Sequence, residues 1–234
     1  MMPPITHILM KQNPNILNLK FHEPDWVENY ILNEIEEDYR FDELRLDSNS
    51  FVIDIGAHVG VVSIYLAKKY GCAVDCYEPT KRNFDKLCKN IRLNDVENFV
   101  YPYNLAVTKD GRDVDIGISE KWGSNDIYGI HTKDTQKARS ISVNAILLNR
   151  SIDLLKIDCE IAEFEILENI ELFEYVKAIR GEFHSQIPGD IDTLLAKVLT
   201  VVPNTRVTML RTVEERKQMR RAKRKLARLA RKAK

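Results

Sequence analysis

Nowhere in the chain is there an apolar run approaching the roughly 20 residues that a membrane span requires. The N-terminus, MMPPITHILMKQNPN, lacks the basic start and apolar block of a secretory leader. Cysteine is scarce: Cys72, Cys76, Cys88 and Cys159 form no CxxC pair and no Cys/His quartet, which argues against zinc. They read as reduced thiols, and the expected location is cytoplasmic. There is no internal repeat and no Pro/Gly/Ser linker long enough to separate a pair of domains. At 44% hydrophobic content, disorder is excluded, and 234 residues suit one α/β domain with appendages. Net charge is also absent, with 35 basic and 35 acidic residues, but the balance hides an asymmetry. Residues 211–234 carry twelve Lys/Arg and two Glu, a local +10, which leaves 23 basic and 33 acidic residues elsewhere, or −10.

What is present is alternation. Residues 14–22 read as an extended piece, followed by a helix in EPDWVENYILNEIEEDYRFDEL, where Trp26, Tyr30, Ile31 and Ile35 share helical spacing. FVIDI is a strand, 59–70 a helix, and AVDCYEP a strand stopped by Pro79. A helix then runs from Lys81 to about Asn94 with Thr80 as its N-cap, and FVYPYNLAV is the third strand. Residues 112–150 interrupt the pattern with two added strands, RDVDIGI and RSISVNAI, around a polar substrate loop that holds Trp122 and His131. Strand IDLLKID, a helix over 161–173, strand VKAIRGEF, a helix near 190–201 and strand RVTML follow. This order predicts an α/β fold, a mainly parallel twisted sheet with helices on both faces. The chain divides into an N-terminal cap (1–46), the main domain (47–211) and a basic helical tail (212–234).

Such sheets bind ligands beyond the carboxyl ends of their strands. Asp54, Glu78, Asn104, Asp158 and Glu182 all fall at that edge. The turn after the first strand of the alternation, Gly56-Ala57-His58-Val59-Gly60, lacks the second glycine of a dinucleotide fingerprint, because His58 stands there. That glycine lets backbone approach a pyrophosphate. A GK[ST] phosphate loop is missing too. What remains suits a nucleotide-like ligand without phosphates, and S-adenosylmethionine is one. Asp54 is placed to hold its ammonium through water or turn amides. Glu78, 22 residues after Gly56, is placed to accept both ribose hydroxyl protons. A charge-assisted bond of that kind is worth about 1.5–3 kcal/mol.

These residues resemble the FkbM-type S-adenosylmethionine-dependent methyltransferases over roughly residues 25–185. The resemblance rests on VIDIGAHVG, YEP, NLAVTKDG and SIDLLKIDCEIAEFEIL. In the last block the family pattern Leu-Lys-Ile-Asp-x-Glu-Gly-Ala-Glu matches at Leu155, Lys156, Ile157, Asp158, Glu160, Ala162 and Glu163. His58 replaces a common Asn, and Ile161 replaces the glycine, which sets a bulky side chain beside the presumed transfer site. The resemblance implies a class I methyltransferase fold with an antiparallel strand near the C-terminus. It places Asn104 and Ala106 near the adenine, and it implies O-methylation of a hydroxyl on a sugar, glycan or related small molecule.

The cofactor-binding candidates are therefore Asp54, Gly56, His58, Gly60, Glu78, Asn104, Ala106 and Asp158. The catalytic candidates are Asp158, His184 and Glu160. An acceptor hydroxyl must lose its proton as it attacks, and His184 and Asp158 compete for the role of base. Asp158 and Glu160 alternate along the strand exit, so one can face the cofactor while the other caps the next helix. Lys156 either pairs with Asp158 or is catalytic. Glu163 and Glu165 read as the wet face of that helix. The carboxylates alone do not specify a metal, and none is assigned. The tail carries a heptad-like stripe, Met219, Ala222, Leu226, Leu229 and Ala233. A solvated helix, polyanion binding and helix pairing are its three readings. Two other functions stand beside sugar-directed methylation. One is a nucleic-acid-directed methyltransferase docked by the tail, against which IDCEIAE lacks an Asn/Asp-Pro-Pro-aromatic motif. The other is an inactive binding module that keeps the fold. The pattern leaves the oligomeric state open.

Overall fold

The computed structural model describes residues 6–11, 16–22, 34–118, 134–148, 150–160, 162–184 and 191–210. The basic tail, Ile161, and the stretch of the substrate loop that holds Trp122 and His131 lie outside the described residues. The chain opens with an antiparallel hairpin, β1 (Thr6–Lys11) and β2 (Ile16–Phe21). A π-helical turn over Glu34–Tyr39 and a 3-10 turn over Phe41–Leu44 lead into β3 (Phe51–Ile55). Next come α1 (Val61–Tyr70), β4 (Ala73–Tyr77), α2 (Lys81–Leu93) and β5 (Val100–Tyr103). The interruption holds β6 (Ala106–Thr108), β7 (Val114–Gly117), β8 (Thr135–Ala138), β9 (Ser140–Ser142) and a short helix, α3 (Val143–Leu147). The closing elements are β10 (Leu154–Ile157), α4 (Glu163–Ile166), β11 (Ile179–His184), α5 (Ile191–Val201) and β12 (Thr205–Leu210).

Among the described residues, six strands form the central sheet in the order β12-β11-β10-β3-β4-β5, and every pairing in it is parallel. The expected antiparallel strand near the C-terminus is therefore corrected: β12 runs parallel to β11, in register from Thr205 opposite Ile179 to Leu210 opposite His184. The crossover through α5 returns the chain to the same end of the sheet, which dictates a parallel partner. From β3 the chain builds outward to β5, then crosses back to β10 and builds the other way. The strand order reverses between β3 and β10, and their carboxyl ends face a shared crevice there.

Strand periodicity divides the core. Val52, Val74, Cys76 and Leu154 pack with α1, α2 and β2 on one face. Ile53, Ile55, Leu155 and Ile157 pack with α3 and α5 on the other. Successive side chains point to opposite faces, so Asp54 and Lys156, opposite one another in register, lie on the α1 face. Two buried asparagines, Asn90 on α2 and Asn94 at its C-cap, stitch the hairpin on. Asn90 Oδ1 accepts the His22 amide at 3.0 Å, and Asn94 Oδ1 accepts the Lys20 amide at 2.9 Å.

Four local expectations change. FVYPYNLAV is two strands, β5 and β6, in separate sheets. RSISVNAI is strand only to Ser142, whose hydroxyl accepts the Ala145 amide and starts α3. The helix expected over 161–173 is cut to α4 and a 3-10 turn over Ile170–Phe173. Thr80 stands at the N-cap of α2, but its side chain makes no capping bond and donates to Glu78 instead.

Candidate active site

The turn after β3 is shaped by contact with β10. Gly56 sits at φ 82°, and a Cβ there would lie 1.8 Å from the Asp158 carbonyl oxygen. Only glycine permits that approach, which brings the two strand exits together at the reversal point. The Gly56 and Ala57 amides both donate to the Tyr77 carbonyl at 3.0 Å, so the turn is also tied to β4. Gly60, at φ 91°, closes the turn through a 2.8 Å bond to the Ala57 carbonyl.

Asp54 is fully buried behind this turn. Its Oδ2 accepts a 2.6 Å bond from the Ser63 hydroxyl of α1, and its Oδ1 lies 3.3 Å from the Lys156 ammonium. The same ammonium donates to the Gly56 carbonyl at 2.9 Å and stands 3.6 Å from Asp158 Oδ2. Lys156 thus joins the first turn to the β10 exit, and Asp54 acts from beneath the turn through it. The pairing role for Lys156 includes Asp158, with Asp54 the nearer partner.

Glu78 is buried at the exit of β4, with only 5% of it exposed. Oε2 accepts the His58 amide at 3.0 Å, while Oε1 accepts the Thr80 amide at 2.9 Å and the Thr80 hydroxyl. Burial raises its pKa, and the Thr80 and His58 bonds oppose that rise. Asn104 donates to the Glu78 and Pro79 carbonyls at 2.9 and 3.0 Å, pinning the segment that carries Glu78. Ala106 is buried at the start of β6, its amide donating to the Arg139 carbonyl at 2.9 Å. His58 adopts φ 51°, and burial, with the nearby charge of Lys156, pushes its pKa down to about 3. Its ring is neutral across the physiological range.

The exits of β10 and β11 form the acidic end of the crevice. Asp158 Oδ2 accepts a 3.4 Å bond from the buried Tyr39 hydroxyl. Glu160, at φ 51°, sets Oε2 3.4 Å from His184 Nε2. Glu163 is fully buried, and its Oε1 takes the Cys159 amide and faces His184 Nδ1, both at 3.2 Å. His184 is thus enclosed between two carboxylates. Burial works against its charge, but the Glu163 bond and the charges of Glu163, Glu160 and Asp158 lift its pKa to about 10. The wet-face reading of the α4 acids is corrected for both residues. Glu163 is interior, and Glu165 is held by a 2.6 Å bond from each terminal nitrogen of Arg112.

The structure gathers Gly56, His58, Glu78 and Asn104 at one side of the crevice and Asp158, Glu160 and His184 at the other. Sequence reasoning missed Tyr39, read Glu163 as wet, and set Glu182 at the edge of the sheet without a specific role. The alternation in RGEFH held a signal for Glu182, since it places Glu182 and His184 on the same side of β11. The Tyr39 contact spans 119 residues and left none.

The description "Methyltransferase FkbM domain" fits a family model that matches residues 54–205, more than half of the chain. Methyltransferase sdnD of Sordaria araneosa is 26% identical, over 61% of this chain and 68% of that protein. Among solved structures, M. jannaschii TYW2 in complex with AdoMet is 28% identical at a TM-score of 0.28, and the match covers 42% of this chain and 42% of that one. The precorrin-6y C5,15-methyltransferase of Geobacter metallireducens is 14% identical, covering 69% of this chain and 65% of that one, with a TM-score of 0.39. An RNA methyltransferase from Salinibacter ruber, in complex with S-adenosyl-L-homocysteine, is 13% identical, covering 73% and 86%, at 0.37. All three scores lie below 0.5, too low to bear on the acceptor.

Proposed function

From the premise that this chain belongs to the FkbM methyltransferase family and is an S-adenosylmethionine-dependent methyltransferase, we propose that it methylates an oxygen, a hydroxyl of a sugar, glycan or related small molecule, with Asp158 as the base. The observation that carries this reading is the carboxylate-lined exit of β10 and β11, where Asp158, Glu160 and Glu182 converge around the β3–β10 reversal. Carboxylates accept hydroxyl protons, so such a lining suits a polyol and does not stack a nucleobase.

The donor set fits the cofactor. Glu78 offers two oxygens with about four lone-pair sites, and Oε2 spends one of them on the His58 amide. The site that remains on Oε2 suits a ribose hydroxyl. The 56–60 turn and Asn104 would hold the rest, and the acidic crevice favours a cationic ligand. When bound, the cofactor supplies an electrophilic methyl group on a positively charged sulfur.

The protein's own residues supply alignment and a proton acceptor. Fixing nucleophile and electrophile at about 3–3.5 Å accounts for much of the acceleration available to such a site. The tie of Lys156 to the Gly56 carbonyl and Asp158 holds the two halves of the crevice in one geometry. His184 has both ring nitrogens facing carboxylates, which leaves neither of them toward an acceptor. Asp158 has a side chain 24% exposed, and it takes the acceptor's proton as the oxygen attacks.

The test is transfer of labelled methyl from the cofactor to a panel of sugars, glycans, RNA and DNA. Label in a methyl ether of a sugar or glycan, lost in Asp158→Asn, supports the reading. Label in nucleic acid alone overturns it.

A further inference from the structure

The side chains of Asp158, Glu182 and His184 each offer one ligand atom, and these atoms all lie within 4.8 Å of one another. They come from two adjacent parallel strands, at the end of β10 and on β11, so the sheet itself fixes their spacing. Two ligands sharing one ion at about 2.1 Å stand roughly 3.0–4.2 Å apart, and rotamer-scale movement closes the remaining gap. Glu182 and His184 are buried, and Asp158 is the member open to the crevice.

The orientation of His184 is the second observation. Fully buried Glu163 lies 3.2 Å from Nδ1. With the Nδ1 proton donated to that carboxylate, an incoming cation displaces the Nε2 proton and takes the lone pair that faces the acids. A buried carboxylate behind a histidine is the usual outer support of a metal-ligating imidazole: it fixes the tautomer and raises ligand basicity. Charge points the same way. Among the described residues, Asp158, Glu160, Glu163 and Glu182 crowd this end of the sheet, with Lys156 and His184 as basic groups near them.

We propose that Asp158, Glu182 and His184 form a binding site for a divalent first-row transition ion, of which Mn²⁺ is the type. One imidazole with two carboxylates suits such an ion better than the all-oxygen cages of calcium. Three protein ligands leave coordination positions open toward the crevice. The role of those positions rests on the oxygen-methylation reading: an acceptor hydroxyl taken up there is acidified by the ion and held in place. Asp158 gives one oxygen to the ion and keeps the other for the proton. Glu163 is a positioning residue that acts through His184.

The experiment needs neither cofactor nor acceptor. Full-length protein stripped with EDTA is titrated with Mn²⁺ alone, with free ion followed by electron paramagnetic resonance. One ion per chain is expected, bound at least tenfold more weakly in His184→Gln and in Asp158→Asn. Glu163→Gln should weaken binding roughly 10- to 100-fold while deleting no ligand. Circular dichroism checks each fold, and Asp158→Asn, at the most exposed ligand, keeps the test open if a buried variant does not fold. Absence of stoichiometric Mn²⁺ binding, or equal binding in folded Asp158→Asn, overturns the site. If Mn²⁺ binds as described and no oxygen is methylated, the site stands and the acceptor reading falls.

Discussion

Replacing Lys156 by Met removes the ammonium that stands, among the described residues, between Asp54, the Gly56 carbonyl and Asp158. Met preserves length and apolar bulk, so the change is electrical. Asp54 is fully buried, and without its ion pair its carboxylate is left uncompensated in the interior. Breaking a buried pair from one side costs about 3–5 kcal/mol, and a carbonyl stripped of its donor adds to the same loss without being separately additive. That is a large share of the roughly 5–15 kcal/mol that holds a domain together. Equilibrium urea unfolding of Lys156→Met should therefore show a midpoint far below wild type with an unchanged slope. The pair predicts a compensation as well. Asp54→Asn in the Lys156→Met background removes the stranded charge, so the double variant should be more stable than Lys156→Met alone. A loss under about 1 kcal/mol in the single variant, or simple additivity in the double, refutes the view that this contact ties the crevice together.

Other residues give sharper local tests. Gly56→Ala adds a Cβ where the Asp158 carbonyl stands at 1.8 Å and forces alanine into left-handed backbone, so the unfolding free energy should fall by more than the roughly 1–2 kcal/mol of conformational cost alone; an unchanged melting temperature refutes the close approach. His58 has its pKa lowered to about 3, so the unfolded chain takes up its proton first as acid is added. Its contribution to stability is present above about pH 6.5 and is lost as the pH falls toward 3. His58→Asn should flatten that acid limb, and stability measured from pH 7 to 4 checks it. Burial pushes the Cys72 thiol up to about 12 and Cys76 well above its usual value, so both should resist iodoacetamide at pH 8 until urea is added, as peptide mass spectrometry would show.

The parallel sheet was legible because its strands are short apolar runs separated by helical periods, and the edge of the sheet could be located from where acids follow those runs. Lys156 carried a readable signal as well, a cation inside the apolar strand LLKI that has to find a buried partner. Three features were not legible, for separate physical reasons. The direction of β12 depends on the crossover before it and not on the alternation in its own residues. Glu163 looks wet by its polarity, and its burial is compensated by His184, 21 residues further along. Glu78 looks exposed beside Pro79, yet it accepts backbone amides from two different loops, an arrangement that only the folded chain brings together. Local pattern reports the period of an element, and distant partners decide which of its polar groups go inside.

The claim that the crevice between β3, β4 and β10 holds the methyl donor is tested most directly at Glu78. Isothermal titration of wild type and Glu78→Ala with S-adenosylmethionine and S-adenosylhomocysteine measures it, with urea unfolding alongside because the variant also strands the His58 and Thr80 amides. Both ligands should bind wild type, and affinity in the folded variant should fall at least tenfold, in line with a lost charge-assisted bond of about 1.5–3 kcal/mol. Equal affinity in a folded Glu78→Ala variant would contradict the placement of the cofactor in this crevice.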